Sequence, residues 1–577
     1  MTASEVQLGL DLDGVAAVQS AKAIRLRRPA FSSESAGGVV YTRPWVVGLI
    51  LDLAGYRADR DLAGMRAVEP SAGEGAFLVP MIRRLMASAS AHGRGLADLR
   101  DSIRAYELEA SSVRRAVDLA VCELCCHGMS AGQARELAEG WIRPGDYLLG
   151  SPDAGRADVV VGNPPYIRYD EVPPTSLAAY RKLYPTMVGR GDIYVGFLEA
   201  GLRQLADGGV LGFICADRWM RSAYGSELRR MVSSAFGVEV VIEMHNAPAF
   251  EEQVSAYPAV VIIRRAPQGR VIVASGNAAA GELPGTGRLA DAITALAEGR
   301  RQVVPGFTAG VVNRWFSGTG PWPSLPPEQL SILQRLEAEF APLEDELTGT
   351  KIGIGVATGA DRAFITTDPG AAEPDRMVPL AMTADTRHGV LRWSGHYLVD
   401  PWQRGGGLVD LAVYPRLRAH FEQRRKELLN RNVAQRMPKD WYRTIDRVHH
   451  DLTGQPKLYF PDMKLTSHPV LDHGETYPHH ALYFLTSRSW DLEVLGGLLL
   501  SRIAQLFIEA YCVKMRGGTL RFQAQYLRRI RVPDPAAISA ELCERLRQAF
   551  RSRDAGAATS AAAEAYGIAE LTELLAP

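Results

Sequence analysis

Between residues 38 and 265, short apolar runs alternate with longer segments in which apolar positions recur at helical spacing. The apolar runs predict strands near 66–69, 102–107, 158–162, 209–215, 238–243 and 259–264. Strands that alternate with helices form parallel sheets, so the pattern predicts an α/β fold with a largely parallel sheet. Too few residues separate the last two runs for a crossover helix, so we expect the last strand to run antiparallel.

The pattern changes after the last of these strands. Residues 266–325 are rich in Gly, Ala and Pro, which predicts a transition between domains with a possible edge strand over 270–274. We expect a second domain, of α+β type, over residues 326–577. Its last part, 555–575, has the composition of an alanine-rich helix.

The first 36 residues contain few aromatic side chains, which predicts a loosely ordered segment with one possible helix over 15–24. A chain of 577 residues is too long for one hydrophobic core. We therefore expect segment 1–36, a first domain over 37–305 and the second domain. There is no signal-peptide pattern, and charged residues interrupt the apolar stretch 492–513, so we expect a cytoplasmic protein without a membrane anchor.

The net charge is zero, with 65 basic and 65 acidic residues, so any binding of nucleic acid would depend on local charge. Residues 416–443 contain nine lysines and arginines against three acidic residues. This stretch predicts a DNA-facing surface, although a solvated helix face has the same composition. The candidate DNA-binding residues are Arg416, Arg418, Arg424, Arg425, Lys426 and Arg443.

The six cysteines are unevenly placed and predict no disulfide framework, as expected in a reducing cytoplasm. Three of them lie with His127 on one helix-like run that has no second ligand pair downstream, which favours a buried helix face over a zinc site. The pairs His449-His450 and His479-His480 lack ligand spacing, so we expect no metal. No Pro-Cys pair is present, which disfavours covalent attack on C5 of cytosine.

The candidate chemistry begins at Asn163-Pro164-Pro165-Tyr166, which directly follows an apolar strand. The prolines restrict the backbone, so the Asn163 amide oxygen and the Pro164 carbonyl can both face outward as acceptors. An exocyclic amine that donates to two acceptors loses conjugation with its ring and becomes nucleophilic, while Tyr166 offers a flat face to that ring. The motif therefore predicts transfer to an amino nitrogen; a simple turn is the alternative.

A second signature lies upstream, over residues 67–78, and predicts a strand, a turn of small residues and a helix. Gly73 and Gly75 would let the backbone approach a ligand closely, and Glu69 at the strand end suits a cationic ligand better than a phosphate. The spacing matches neither the dinucleotide fingerprint nor the phosphate loop. A sulfonium cofactor is the interpretation that fits.

Taken in order, these motifs resemble those of the gamma class of DNA adenine-N6 methyltransferases, the Taq-like enzymes. Residues 37–44 are similar to the Tyr-Thr-Pro segment of that class, with Arg43 as an insertion. The resemblance implies a Rossmann-like catalytic sheet, S-adenosylmethionine as cofactor, double-stranded DNA as partner and a C-terminal target-recognition domain. Segments 351–359, 441–443, 456–462 and 517–522 resemble parts of such a domain.

The resemblance also assigns roles to individual residues. Glu107 would bond the cofactor's ribose, Asp146 and Tyr147 would hold its adenine, and Phe250 would lie against the flipped target base. The full cofactor set is Tyr41, Thr42, Glu69, Pro70, Ser71, Gly73, Gly75, Glu107, Asp146, Tyr147 and Asn163. The catalytic set is Asn163, Pro164, Pro165, Tyr166 and Phe250.

The implied function is methyl transfer to N6 of a flipped adenine in duplex DNA, within a restriction-modification or defence system or by a solitary epigenetic enzyme. A separate restriction endonuclease is a possible partner. Asn-Pro-Pro-Tyr also occurs in methyltransferases that act on protein glutamine or on RNA amino groups, which are usually shorter, and a silent specificity subunit is a further alternative. N4 of cytosine is a minor alternative target.

Overall fold

The structure is a computed structural model that describes residues 41–150, 155–245, 247–252, 257–276, 287–300, 302–312, 318–512, 519–570 and 573. The chain divides into two compact units that meet in sequence between Pro327 and Glu328. The predicted segment 1–36, with its possible helix over 15–24, lies outside the described residues.

The described part of the first unit contains a nine-stranded sheet in the order β3-β2-β1-β4-β5-β7-β6-β8-β9. Its strands are β1 (Ala67–Glu69), β2 (Ile103–Glu107), β3 (Ile142–Pro144), β4 (Ala157–Gly162), β5 (Leu205–Ala216), β6 (Gly237–Glu243), β7 (Pro258–Arg264), β8 (Val271–Gly276) and β9 (Phe307–Val312). Its helices are Pro44–Leu53, Leu78–His92, Leu96–Leu99, Ala110–Cys126, Ala131–Trp141, Tyr147–Gly150, Pro174–Leu183, Tyr194–Gln204, Arg218–Arg221, Ser226–Ala235 and Arg288–Ala297.

The pairing confirms the predicted sheet. Strands β1 to β5 pair in parallel, and β7 lies between β5 and β6 and runs antiparallel to both. All six predicted strands are present, while β3 and β9 were not predicted. The prediction of a transition over 266–325 is wrong in part, because β8 and β9 extend the same sheet. The predicted edge strand over 270–274 is β8, but β9 covers it, and the first unit continues past residue 305.

Helices cover both faces of the centre of this sheet. Gly201 in the helix Tyr194–Gln204 comes so close that an added Cβ would lie 2.8 Å from Leu211 of β5. The next residue of β5, Gly212, faces the other way, where an added Cβ would lie 3.0 Å from Ile50. Strands buried on both faces are apolar throughout, which explains the uninterrupted runs that the sequence shows. The carboxyl ends of the parallel strands are left as the accessible edge.

The second unit contains two four-stranded sheets among its described residues. One is built, in order, from Lys351–Ile354, Leu482–Thr486, Lys457–Pro461 and Val470–Asp472, the other from Ile365–Thr366, Tyr397–Val399, Met377–Ala381 and Tyr477–Pro478. Shorter pairs join Ala341–Pro342 to Arg531–Val532 and Met463–Lys464 to Leu520–Arg521. The helices are Pro327–Glu339, Asp361–Phe364, Pro415–Glu422, Arg425–Leu429, Asn432–Arg436, Leu492–Leu500, Arg502–Tyr511, Ala524–Leu527, Ala540–Ser552 and Ala555–Ala565.

The predicted elements of this unit are present with shifted ends. The alanine-rich helix ends at Ala565, ten residues before the predicted end at 575. Parts of segments 351–359 and 456–462 pair with one shared strand, while Gly517 and Gly518 lie outside the described residues.

Within the described ranges, no single helix has the length and apolar composition needed to cross a membrane. The helices Leu492–Leu500 and Arg502–Tyr511 meet those criteria only when taken together, and the chain bends by 62° between them.

Candidate active site

The two motifs predicted from the sequence meet at the carboxyl edge of the sheet. Asn163 follows β4, whose neighbour β1 ends at Glu69. The Ser71 hydroxyl donates to the Asn163 carbonyl over 3.0 Å. Pro164 is buried, whereas Asn163, Pro165 and Tyr166 remain partly exposed. The loops after β1 and β4 are therefore joined, and the Asn-Pro-Pro-Tyr segment reaches the surface beside the glycine turn.

The glycine turn adopts a conformation that favours glycine. Gly73 and Gly75 have φ angles of +52° and +87°, in the left-handed region. The Gly73 N–H donates to Oε2 of Glu107 over 2.7 Å, and the Glu109 N–H donates to Oε1 over 2.8 Å. A Cβ added to Gly73 would meet no atom within 4 Å among the described residues. Glu107 thus connects the turn to the end of β2, and open space lies beside the turn.

Glu69 ends β1, as predicted, and is enclosed by the protein. It is 1% exposed and accepts backbone hydrogen bonds from Phe77 and Leu78, where the helix Leu78–His92 begins. Burial, and then the charge of Glu107, hold the pKa of Glu69 well above its usual range. Its Oε2 atom is buried and has no hydrogen-bond partner among the described residues. Such an atom favours a ligand that can donate to it.

The predicted pair Asp146 and Tyr147 serves the fold in this structure. Asp146 accepts the N–H of Leu148 over 2.9 Å and the hydroxyl of Tyr180 over 2.5 Å. Tyr147 is 2% exposed, and its hydroxyl donates to Gln204.

The ring of Tyr147 stacks on Phe197 at 5.5 Å and meets Tyr106 edge-on at 5.1 Å. The predicted contact of Tyr147 with the cofactor's adenine finds no open ring face in this structure, because the ring is enclosed by the core. We leave Tyr147 out of the proposed cofactor set.

Thr42 and Phe250, which are 208 positions apart, form a β-bridge. The Arg43 N–H donates to the Ala249 carbonyl over 3.0 Å, and a bond of 3.1 Å runs from the Glu251 N–H to the Tyr41 carbonyl. This pairing brings two separately predicted residues together, and it sets the Phe250 ring edge-on to Tyr166, with ring centres 6.0 Å apart.

Residues 37–40 of the Tyr-Thr-Pro segment and 253–255 after Phe250 lie outside the described residues. Phe250 itself is 5% exposed. A target ring entering here would meet the Tyr166 and Phe250 side chains only if the Phe250 ring moves or becomes uncovered.

Sequence reasoning missed a network of four ionisable residues near the Tyr166 ring: Asp217, Arg221, Glu243 and His245. Burial raises the pKa of the Tyr166 hydroxyl well above its usual range, and the charges of Cys215 and Asp217 raise it further, which places these two residues near the ring. The four charged residues come from the ends of β5 and β6 and from the short helix Arg218–Arg221, with no regular spacing that could have revealed them.

The basic stretch 416–443 is more divided than its composition predicted. Arg416, Arg418, Arg425 and Lys426 are exposed. Arg425 forms an ion pair of 2.9 Å with Glu422.

Two of the predicted DNA-binding arginines have contacts within the fold. Arg424 donates to the His420 carbonyl over 2.9 Å, and the Arg443 guanidinium lies 5.1 Å from the centre of the Trp402 ring. Both are only partly exposed. Their side chains pack against neighbouring residues of the second unit, and their contact with DNA stays a prediction.

The structure adds an acidic neighbour to the predicted pair of histidines, His479 and His480. Their potential ligand atoms and those of Asp361 lie within 4.8 Å of one another. The Ala481 N–H donates to Nδ1 of His479 over 3.3 Å, and Nε2 lies 3.4 Å from Asp361. This arrangement suits a neutral ring that carries its proton on Nε2, which leaves Nε2 without a lone pair for a metal.

The sheet order, with β7 antiparallel between β5 and β6, and the motifs at the sheet edge define an α/β methyltransferase domain. A family profile described as "Eco57I restriction-modification methylase" matches residues 135–250, which include Asn-Pro-Pro-Tyr and Phe250. The type II methyltransferase M.PaeR7I of Pseudomonas aeruginosa is 44% identical over 92% of this chain and 92% of its own length. The type II methyltransferase M.XhoI of Xanthomonas vasicola is 41% identical over 92% of this chain and 97% of its own.

The chain belongs to the family of type II restriction-modification DNA methyltransferases. The type IIL restriction-modification enzyme MmeI, solved in complex with DNA, has a similar fold with a TM-score of 0.55. The two proteins are 12% identical, and the likeness covers 92% of this chain and 76% of MmeI. The resemblance is thus confirmed at the level of the DNA methyltransferase family, while the adenine-specific gamma class stays a prediction.

Proposed function

We propose that this methyltransferase transfers a methyl group from S-adenosylmethionine to N6 of an adenine flipped out of duplex DNA. The observation that carries the proposal is the Ser71–Asn163 hydrogen bond, because it joins the glycine turn to Asn-Pro-Pro-Tyr at one edge of the sheet. The names of the relatives support DNA over protein glutamine or RNA as substrate. They also argue against a silent specificity subunit.

The residues of the turn fit a cofactor that has a cation and ribose hydroxyls. The buried Oε2 of Glu69 would accept a hydrogen bond from the ammonium group of the cofactor's methionine part. The open space beside Gly73 leaves room for the cofactor. Glu107 lies at the end of β2, where a ribose is bound in related folds. When bound, S-adenosylmethionine supplies an activated methyl group on its sulfonium. The proposed cofactor-binding set is completed by Tyr41, Thr42, Pro70 and Ser71.

The target side depends on acceptors and aromatic rings of this chain. The Asn163 side-chain oxygen and the Pro164 carbonyl would accept from the amine and direct its lone pair away from the ring. Flipping a base costs a few kcal/mol. Stacking on Tyr166, with Phe250 beside it, would offset that cost.

Replacing Asn163 tests the proposal. We expect Asn163→Ala to lower kcat by at least about 100-fold, because removing one positioned hydrogen-bonding group from an active site has an effect of that order. Cofactor affinity should change by less than about threefold, as measured by calorimetry. Gln548→Ala, which removes a side-chain amide at an exposed position of the helix Ala540–Ser552, is the matched control and should keep full activity. Near-normal turnover of a folded Asn163→Ala protein would refute the proposed role.

Modification-sensitive sequencing of DNA from a host that expresses the protein identifies the base and the site together. Methylated adenine is the expected result, whereas N4-methylcytosine would overturn the adenine assignment and leave the amine mechanism intact. We further propose that the modification blocks a separate endonuclease with the same recognition site, because the relatives are type II modification enzymes.

A further inference from the structure

The proposed reaction assigns no role to the charged network at the carboxyl ends of β5 and β6. Asp217 follows β5, and its Oδ2 lies 2.7 Å from Nε2 of His245 and 2.5 Å from the Arg221 guanidinium. Arg221 also lies 2.7 Å from Oε1 of Glu243, the last residue of β6. The four side chains are between 3% and 12% exposed, so the network is nearly closed to water.

A metal ion is a poor fit to this network. Asp217, Glu243 and His245 do place three potential ligand atoms within 4.8 Å of one another. However, Arg221 bonds both carboxylates and already supplies the positive charge between them. A divalent ion would have to displace this buried guanidinium. We therefore interpret the network as two ion pairs, of Arg221 with Asp217 and with Glu243, to which His245 adds a hydrogen bond at Asp217.

Asp217 is the centre of the network and is ionised at neutral pH. Burial alone would raise the pKa of Asp217, but the Arg221 charge and the bonds from His245 and Arg221 lower it to about 2. Its carboxylate can therefore accept from both partners at once. The Asp217 N–H also bonds the Tyr257 carbonyl over 2.9 Å, which fixes the residue to the start of β7.

His245 stands at the start of the segment that carries Phe250. The Met244 N–H donates to the Pro258 carbonyl over 2.9 Å, so the β6–β7 pairing ends just before His245. The same segment reaches Phe250, which meets Tyr166 edge-on. The bond from His245 to Asp217 therefore ties one end of the segment to β5, while the bridge to Thr42 ties the other.

We infer that His245 is a positioning residue for the target-base pocket. Through its bond to Asp217 it anchors the segment between β6 and Phe250, so that the Phe250 backbone stays beside Tyr166 when the Phe250 ring moves to admit the base. This inference rests on the proposed function, in which these two rings enclose the flipped base. His245 would touch neither cofactor nor base, so its effect on the rate would pass through Phe250.

A double-mutant cycle tests whether His245 acts through Phe250. Methyl transfer to unmethylated plasmid DNA is measured over a range of labelled-cofactor concentrations up to saturation for His245→Ala, Phe250→Ala and the double variant. We expect His245→Ala to lower kcat about tenfold, since a displacement of about 1 Å can cost up to 100-fold. The cofactor KM should stay within about twofold. In the Phe250→Ala background the same change should add less than about twofold.

Losses that multiply in the double variant would overturn the inference, since they would mean that His245 acts independently of Phe250. His245→Gln keeps a donor near the position of Nε2 and should recover most of the rate; a Gln variant as slow as His245→Ala would also contradict it. Glu239→Gln is the matched control, because the Glu239–Arg264 ion pair joins β6 and β7 at the end of the strand pair that lies away from His245. It should leave kcat unchanged.

The melting temperature of every variant is measured to show whether the variant folds. If His245→Ala does not fold, His245→Asn takes its place in the cycle, because its amide is too short to reach Asp217 and its polarity resembles that of His245. Failure of the proposed function has a different signature: the unaltered protein would then transfer no methyl group to DNA under any of these conditions.

Discussion

Charged side chains serve different ends at the carboxyl edge of the first sheet and in the basic stretch 416–443. At the edge, Glu107 accepts the N–H groups of Gly73 and Glu109 and so shapes the turn beside the open space. In the basic stretch, Arg431 donates to the carbonyls of Thr358, Trp441 and Arg443. The first set of bonds shapes the turn where we propose that the cofactor binds, whereas the second set draws the Arg431 guanidinium onto backbone carbonyls.

This difference shows what a charge in a sequence can and cannot indicate. A charged side chain can hydrogen-bond to the backbone of a binding site or to the backbone of the surrounding fold. Residue type alone does not distinguish the two cases. Glu107 was predicted to bind the cofactor because it follows the glycine turn and precedes Asn163 in the order that the resemblance implies. The arginines of the stretch have no such order, and their roles depend on which carbonyls the fold brings within reach.

The largest effect should come from replacing Glu107. We expect Glu107→Ala to weaken cofactor binding about 100-fold, because the turn loses its two bonds to the carboxylate and the ribose loses its acceptor. Calorimetry with S-adenosylmethionine measures the change. Glu136→Gln, on an exposed surface pair with Arg100, is the control and should bind normally. A folded Glu107→Ala protein with unchanged cofactor affinity would show that Glu107, like Arg431, serves the fold and not a binding site.

The sequence predicted the centre of the fold better than its margin. The six strands at the centre are buried on both faces or nearly so, and their apolar runs were clear. Strand β9 carries a mixed pattern, because most of its residues are partly or fully exposed at the edge of the sheet. Strand β3 has only three residues, two of them exposed. Neither leaves a signal that periodicity could detect.

The candidate site shows the same limit. Local motifs such as Asn-Pro-Pro-Tyr and the glycine turn were visible because their residues are adjacent in sequence. The Thr42–Phe250 bridge was expected only as two separate residues, and the Asp217–His245 bond was not expected at all. Pairings between distant loops depend on how the sheet is assembled, which a single sequence does not specify.

A second prediction concerns Arg431, a half-buried member of the basic stretch. Arg431→Ala should lower the free energy of unfolding by about 3 kcal/mol, because three partly buried carbonyls lose a charged donor at once. Urea denaturation measures this change. The exposed Arg436→Ala is the control and should stay within about 0.5 kcal/mol of the original protein. An Arg431→Ala protein that keeps its stability and instead loses DNA affinity would place Arg431 on a binding surface.

The smallest effect is expected for the exposed members of the stretch, Arg418 and Lys426. Their side chains form no hydrogen bond or ion pair with other described residues, so they remain available to phosphates. Replacing both with Ala should weaken DNA binding several-fold at low salt and reduce the slope of log affinity against log salt by roughly one per residue. Stability and cofactor affinity should not change. Arg100→Ala removes a cation that Glu136 already pairs, and it controls for a general loss of charge. An unchanged salt slope in the double variant would mean that the basic stretch is a solvated face of the second unit, and DNA contacts would then have to be sought elsewhere on the chain.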